Sequence, residues 1–349
     1  MKTILIIAAT FAVLVILLLA AAAYALRSAF AKRCDGNPSL KYFTSDDFEG
    51  LMRRDVEFPS DKGQLLRGAV YTYEAVTKPL GLVIFAHGMG GGHLSYMTEI
   101  NTIARAGFKV LSYDNTGTMS SEGGSLVGFY QSVRDLESAV KFASGDSELS
   151  GYKAVLVGHS WGGYASCCAS CKVKDKISGV VAFSAPESAA GAAVDSVGMS
   201  SGLKLSFLKP LFSIASVIVN GFDSRRSASD SLIAVGNIPI LLLHGDCDPS
   251  VSMKNSPVSN KALTSRENVS VIVCHGRAHN VYQTERSEKY LDEVFGKISA
   301  AAKKYGKSGI PEAEKSKIYD IDYALITEED SEIMKTAVDF MIRAVKTQK

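Results

Sequence analysis

The residues best suited to chemistry form the run Gly-His-Ser-Trp-Gly-Gly at positions 158–163. This run has the form Gly-x-Ser-x-Gly, and it stands between an apolar segment predicted to be a strand and a segment of small residues predicted to be a helix. A serine on such a sharp turn takes unfavourable backbone angles, so glycine is needed two positions away on each side, here at Gly158 and Gly162. The hydroxyl then projects above the sheet at the positive end of the following helix. The pattern predicts Ser160 as a nucleophile.

Six histidines could supply the base that a serine hydroxyl needs at neutral pH. His279 lies in a loop after the last predicted strand, from which a side chain can reach over the C-terminal edge of a sheet. His275 lies closer to the end of that strand and is interpreted as structural, so His279 is favoured as the base. The other four end strands, open a helix or lie in the serine turn itself: His87, His93, His159 and His244.

The third member of such a site is a carboxylate that orients the imidazole and stabilises its charged form. The segment HGDCDPSV, which follows the penultimate predicted strand, offers Asp246 and Asp248. Asp248 lies further out on the loop, whereas Asp246 lies in the turn and could bond backbone amides there. Asp248 is therefore favoured, and the resulting order of serine, acid and histidine is the order found in hydrolases with this kind of serine turn.

A glycine-rich turn, HGMGGG at positions 87–92, follows the third predicted strand. Such a turn can direct backbone amides at the negative charge that develops on a substrate carbonyl oxygen. The backbone N–H groups of Met89 and Trp161 are predicted to form this oxyanion hole, with His87 and Gly88 supporting the loop. Phosphate binding is disfavoured, because the lysine of a P-loop and the Gly-x-Gly-x-x-Gly spacing are both missing.

Eight apolar segments alternate with amphipathic ones and predict the sheet that positions these residues. This alternation predicts a mostly parallel, eight-stranded sheet covered by helices on both faces. The predicted strands are Val56–Phe58, Leu65–Tyr73, Leu80–Ala86, Lys109–Tyr113, Ala154–Val157, Ile177–Phe183, Ile238–Leu243 and Val269–Val273, the first two of them antiparallel. Two segments interrupt the pattern: 187–237, interpreted as a helical lid over the site, and 286–327, interpreted as a surface excursion.

The first 26 residues include 24 successive positions without a charged side chain, Thr3 to Leu26. As a helix this stretch would be about 36 Å long, enough to cross a hydrocarbon core of about 30 Å. We interpret residues 3–26 as a single-pass membrane anchor, 27–51 as a juxtamembrane linker and 52–349 as the catalytic domain. A cleaved signal peptide is the alternative, because alanines near its end could form a cleavage site. The flanking charges do not decide which side of the membrane the domain faces.

The charge distribution and the cysteine spacing argue against a nucleic-acid-binding protein and against a zinc protein. The net charge of +2 comes from interspersed acids and bases, so we expect no nucleic-acid partner. Cys167, Cys168 and Cys171 cluster, but no histidine or fourth cysteine stands at a zinc-like spacing, so they are interpreted as core residues. No metal site is expected.

Together these motifs resemble the α/β-hydrolase superfamily, especially its monoacylglycerol lipase-like and serine aminopeptidase-like branch. The segments HGMGGG, YDNTGTMSSEGG, VGHSWGG, HGDCDPSV and GRAHN follow one another in that family's order, and the resemblance covers about 52–349. Two segments depart from it: 114–120 lacks the arginine and the second glycine of the family's Asp-x-Arg-Gly-x-Gly-x-Ser, and Gly-Arg-Ala-His replaces Gly-x-Gly-His at 276–279.

The resemblance implies hydrolysis through an acyl-enzyme with no metal or organic cofactor. We expect an ester hydrolase for a lipid-like or other small acyl substrate. A serine aminopeptidase is the enzymatic alternative, and it would need a carboxylate to hold the substrate's ammonium group; the lid offers Glu187, Asp195, Asp223 and Asp230. A catalytically silent binding protein on the same fold is the alternative from another class.

Overall fold

Eight strands form one sheet in the computed structural model, which describes residues 1–202, 206–306 and 309–347. The strands are β1 (Leu51–Pro59), β2 (Leu65–Tyr73), β3 (Leu82–Ala86), β4 (Lys109–Tyr113), β5 (Ala154–His159), β6 (Ile177–Phe183), β7 (Ile240–Gly245) and β8 (Val269–Cys274). Their order across the sheet is β1-β2-β4-β3-β5-β6-β7-β8. β2 pairs antiparallel with β1 and β4, and the other neighbours are parallel. The predicted fold is confirmed.

Apolar layers cover both faces of the sheet, and β3, β5 and β6 are therefore buried along their whole length. On one face α3 and α4 contribute Val133, Leu136 and Tyr164 to the core. On the other face α2 and α12 contribute Ile100 and Phe340. The helices are α1 (Lys2–Ala29), α2 (Met97–Arg105), α3 (Gln131–Gly145), α4 (Trp161–Ser170), α5 (Ala189–Ser201), α6 (Lys209–Asn220), α7 (Ala228–Ala234), α8 (Lys261–Thr264), α9 (Glu285–Tyr305), α10 (Glu312–Ile318), α11 (Tyr323–Ile326) and α12 (Ser331–Lys346).

The segment between α1 and β1 is folded onto the domain. Phe30 is buried in the core beside Phe129. Residues 33–43, called the strap below, begin with Arg33, whose guanidinium donates hydrogen bonds to the carbonyl oxygens of Met119, Ser121 and Gly123. The stretch predicted as a linker is therefore held against the loop that follows β4.

Candidate active site

Ser160 lies at the turn from β5 into α4, with φ 53° and ψ −115°. These left-handed backbone angles are costly for a residue with a side chain, and the surrounding contacts must hold them. The Ser160 N–H donates to the Phe183 carbonyl oxygen at 2.8 Å. Glycine is needed on both sides, because a Cβ at Gly158 would overlap the carbonyl oxygen of Gly162, and a Cβ at Gly162 would overlap that of Ala86. The strained turn predicted around Ser160 is present.

The structure brings together the predicted acid and base. His279 Nδ1 lies 2.7 Å from Asp248 Oδ2. Asp248 has a fully buried side chain, and its Oδ1 accepts the N–H groups of Ser250 and Val251 at 2.8 and 2.9 Å. An acceptor-only carboxylate beside Nδ1 places the proton of a neutral imidazole on Nδ1, so Nε2 is free to accept a proton.

The two residues weighed against this pair bind each other instead. His275 Nδ1 lies 2.8 Å from Asp246 Oδ2, and the Gly276 N–H donates to Asp246 Oδ1 at 2.7 Å. These hydrogen bonds, from His275 first and then from Gly276, hold the pKa of Asp246 below its ordinary value. The His275 side chain is 85% exposed, so this pair lies on the surface away from Ser160.

Ser160 and His279 line the same cleft, which has a volume of about 690 Å³. Among the described residues, no hydrogen bond joins Ser160 Oγ to the His279 imidazole. Catalytic hydrogen bonds are often long in ligand-free enzymes and tighten when substrate binds. The cleft therefore places the predicted nucleophile and the predicted base at one surface.

A chain of hydrogen bonds that the sequence did not reveal connects the three loops of the site. The Gly88 N–H donates to the Tyr96 hydroxyl, which lies 2.9 Å from His159 Nδ1. His159 Nε2 lies 3.2 Å from the carbonyl oxygen of His279, and since a carbonyl only accepts, Nε2 carries the proton. Burial lowers the pKa of His159 well below its ordinary value, which keeps it neutral. Ser184 Oγ also donates to the His279 carbonyl oxygen.

Of the two predicted oxyanion donors, Met89 follows β3 and lines the cleft, and Trp161 follows Ser160 at the start of α4. Met89 lines the cleft, and its N–H has no partner among the described residues. Trp161 is the first residue of α4, so its N–H has no acceptor within the helix. The Gly88 N–H is occupied by Tyr96, which makes Gly88 a support of the loop.

His87 connects the glycine-rich loop to the loop after β4. Its Nδ1 lies 2.7 Å from the Gly88 carbonyl oxygen, and its Nε2 accepts the Asn115 N–H at 3.0 Å. Burial lowers the pKa of His87, so the ring is a neutral bridge. The supporting role of His87 stays a prediction.

The loop after β4 departs from the family pattern where the strap binds it. Met119 occupies the position of the family's second glycine and takes a positive φ of 38°. Its N–H donates to the Cys34 carbonyl oxygen at 3.0 Å, and its carbonyl oxygen accepts from Arg33 at 2.8 Å. Thr116, at the position of the family's arginine, donates from its N–H and hydroxyl to Asp135. The strap and Asp135 thus hold the altered loop in place.

The altered loop before His279 is held by α9. Glu288, in the first turn of α9, accepts the N–H groups of Ala278 and Asn280 at 3.3 and 2.6 Å. Arg277 lies 3.4 Å from Glu288 and 2.9 Å from Asp330, with 13% of its side chain exposed. The arginine of Gly-Arg-Ala-His is therefore part of an ion-pair network behind the histidine loop.

Replacing Glu288 with alanine should lower kcat about tenfold with little change in KM, and lower the free energy of unfolding by about 2 kcal/mol, because two amides and Arg277 lose a buried acceptor. Steady-state kinetics and thermal unfolding would measure both effects. Glu288→Gln keeps one acceptor oxygen and should recover part of kcat. The control is Glu285→Ala in the same helical turn, whose exposed side chain pairs with Lys289. Equal effects of the two alanine variants would contradict this role for Glu288.

The walls of the cleft come from segments that the sequence analysis did not assign to it. The strap lines the cleft together with residues of 291–327, which it contacts: the Lys41 N–H donates to the Tyr323 hydroxyl at 2.8 Å. The segment 286–327, interpreted as a surface excursion, therefore also lines the cleft. None of the described residues of 187–237 lines the cleft. That segment forms α5, α6 and α7, and a covering role for it stays a prediction. The apolar wall residues include Leu40, Phe43, Leu94, Leu291, Phe295 and Ile326.

Within the described ranges, no group of three or more His, Cys, Asp or Glu side chains is arranged to hold a metal ion. Cys167 and Cys168 are buried in the core, and burial raises the pKa of both thiols.

Comparisons with known proteins agree with the fold. The family model described as "Serine aminopeptidase, S33" matches residues 77–234. The Pyrococcus furiosus esterase Pf2001 superposes with a TM-score of 0.56 at 20% identity, over 78% of this chain and 98% of the esterase. Est1E from Butyrivibrio proteoclasticus gives a TM-score of 0.53 at 16% identity, over 84% of this chain and 99% of Est1E. No curated protein matches the chain in sequence.

The chain has the α/β-hydrolase fold, and its residues 77–234 resemble the serine aminopeptidase family. At these identities the solved structures establish the fold alone, and the matching family model supports a hydrolase.

Proposed function

We propose that the chain is a serine hydrolase that cleaves a carboxylic ester with a lipid-like or other small acyl group. The observation that carries this proposal is the buried Asp248 bonded to His279, which faces the same cleft as Ser160 on its positive-φ turn. Ser160 attacks the ester carbonyl carbon while His279 Nε2 takes the hydroxyl proton. His279 then protonates the leaving alcohol. In the second half of the reaction His279 takes a proton from water, whose oxygen attacks the acyl-enzyme, and returns that proton to Ser160 as the acid leaves.

An acyl substrate fits the cleft because apolar side chains from two segments line it. Leu40 and Phe43 lie on the strap, and Leu291, Phe295 and Ile326 lie on the neighbouring segment. Apolar linings with a few polar groups near the reacting atoms are typical of ligand pockets. An apolar chain can lie against these side chains while its carbonyl reaches Ser160.

Replacing Phe295 with alanine should lower kcat/KM about tenfold for a long-chain ester, because an apolar contact worth about 1.5–3 kcal/mol is lost. For a short-chain ester, kcat/KM should change by less than about twofold. Kinetics with p-nitrophenyl esters of different acyl-chain lengths, in detergent solution, measure both values of kcat/KM. The control is Met52→Ala, an exposed apolar residue on β1 that does not line the cleft. A uniform loss across chain lengths would contradict an acyl-binding role.

A peptidase is the second candidate, favoured by the description of the matching family model. Such an enzyme needs a carboxylate in the site for the substrate's ammonium group. The four carboxylates considered for this purpose do not line the cleft, and three bind within the protein: Glu187 to Ser229, Asp195 to Ser252, Asp223 to Lys172. Asp35 lines the cleft, but it pairs with Arg33. These contacts favour the ester over the peptide substrate.

A turnover panel separates the two enzymes. Purified full-length protein is given p-nitrophenyl esters, monoacylglycerols and aminoacyl amides, with Ser160→Ala as the control for background hydrolysis. We expect turnover of the esters and at most trace turnover of the amides. Faster release from aminoacyl amides would overturn the ester proposal in favour of the peptidase.

We further propose that α1 is retained as a membrane anchor. It is the one helix within the described ranges that is long and apolar enough to cross a bilayer, a test that a signal sequence also passes. Retention is supported by its packing, because Ala22 and Leu26 are buried against Phe212 and Ala215 of α6. Loss of α1 would expose this apolar contact. Mass spectrometry of the protein from membranes should find the intact N-terminus, and a chain starting near residue 30 would contradict the anchor.

A further inference from the structure

One stripe of α1 is covered by protein. Val15 and Leu19 are half-buried, and Ala22 and Leu26 are buried, whereas most of the other α1 residues are exposed. The spacing of four, three and four residues places all four on one side of the helix. The element that α1 contacts most is α6.

The contact fixes the depth of α6 if α1 spans a bilayer. Val15 to Leu26 covers about 17 Å of α1, close to the length of about 18 Å for the whole of α6. Arg27 ends the uncharged stretch and marks the membrane surface on the side of the domain. Residues 15–26 then occupy the leaflet nearer the domain, which is about 15 Å of hydrocarbon. α6 packs beside them and must lie in the same leaflet.

The outer face of α6 is suited to that environment. Ile214 and Ile218 are 52% and 62% exposed, and the flanking Phe207 and Phe222 are 74% and 71% exposed. No charged residue occurs from Pro210 to Asn220. Exposed apolar patches on this scale mark interaction surfaces.

The polar side chains at the two ends of α6 bond within the protein. The Asn220 amide donates to the carbonyl oxygen and the hydroxyl of Ser216. Lys209, at the start of the helix, donates to Asn255 of the catalytic domain at 2.9 Å. Hydrocarbon requires such internal pairing, because it offers polar groups no hydrogen bonds.

We infer that α6 is a second membrane-embedded element, inserted into one leaflet beside α1, with Ile214 and Ile218 in contact with lipid acyl chains. This inference rests on the proposed anchor, but not on the proposed ester chemistry. Two packed helices, α1 and α6, would then hold the catalytic domain in one orientation at the bilayer, whereas α1 alone would only tether it.

Quenching by lipids brominated on their acyl chains tests the inference with the full chain in nanodiscs at one copy per disc. The only native tryptophan, Trp161, is buried at 1% exposure and gives a constant background. The probes are Ile218→Trp and Ile214→Trp on α6, Phe11→Trp on α1 and Met52→Trp on the exposed part of β1. Two α6 positions are used so that one poorly folded variant does not remove the test.

We expect the α6 probes and Phe11→Trp to lose fluorescence by roughly twofold in brominated lipid, because bromine quenches on contact within the hydrocarbon region. Met52→Trp should be unchanged. Quenching of Phe11→Trp without quenching of either α6 probe would overturn the inference but not the proposed anchor. The outer face of α6 would then be covered by a second copy of the chain or by water. Unquenched Phe11→Trp would overturn both.

Discussion

Replacing His279 with alanine is expected to lower kcat by about 10⁴- to 10⁶-fold, because Ser160 would lose the only base proposed to accept its proton. The variant should keep the fold, since the interactions that hold this loop are made by its backbone. The His279 carbonyl oxygen accepts from Ser184, and Glu288 accepts the neighbouring amides. Ester turnover with excess substrate measures the loss, and the thermal unfolding midpoint shows whether the fold is intact.

His275→Ala is the matched control, because it removes an imidazole four residues earlier in the chain that is also paired with an aspartate. Its side chain is largely exposed and absent from the cleft, so kcat should change by less than about threefold. A large loss in His275→Ala together with normal turnover in His279→Ala would reverse the assignment.

Replacing Asp248 with asparagine should lower kcat by about 10⁴-fold while leaving the structure in place. Asp248 Oδ1 accepts the N–H groups of Ser250 and Val251, so the amide oxygen of an asparagine would take that side. Its NH₂ group would then face His279 Nδ1 and donate to it. The imidazole would be forced to carry its proton on Nε2, where it can no longer accept one from Ser160.

Asp246→Asn supplies the comparison for this effect. Asp246 pairs with the exposed His275 and the Gly276 N–H, and none of these groups lines the cleft. We expect less than about threefold change in kcat. Comparable losses from both substitutions would mean that the loop as a whole, and not the orientation of His279, limits turnover.

Local patterns were sufficient to predict the sheet and the serine turn. Buried runs such as Leu82–Ala86 are apolar without interruption, so a central parallel strand has few alternatives. The turn at Ser160 is equally local, since its glycines are required by overlaps with the Gly162 and Ala86 carbonyl oxygens. The strand bounds differ only at the ends, as where β1 extends from Leu51 to Pro59.

Features made by contacts between distant segments could not be predicted in this way. Arg33 binds carbonyl groups 86 to 90 positions further along the chain, and nothing in the local composition of the strap indicates that docking. Its polar, Gly- and Pro-containing sequence is typical of a linker. Glu288 likewise reads as an ordinary charge in the first turn of an amphipathic helix. The alterations at Met119 and Arg277 were visible as departures, but their partners became apparent only in three dimensions.

The most direct test of the central claim is reaction of the full-length protein with a fluorophosphonate, followed by intact-mass and peptide analysis. A nucleophilic Ser160 activated by His279 predicts one adduct per chain, located on the peptide that contains Ser160 and lost in Ser160→Ala. Absence of an adduct on the folded wild-type protein, or the same adduct on Ser160→Ala, would contradict the account and favour a binding protein built on this fold.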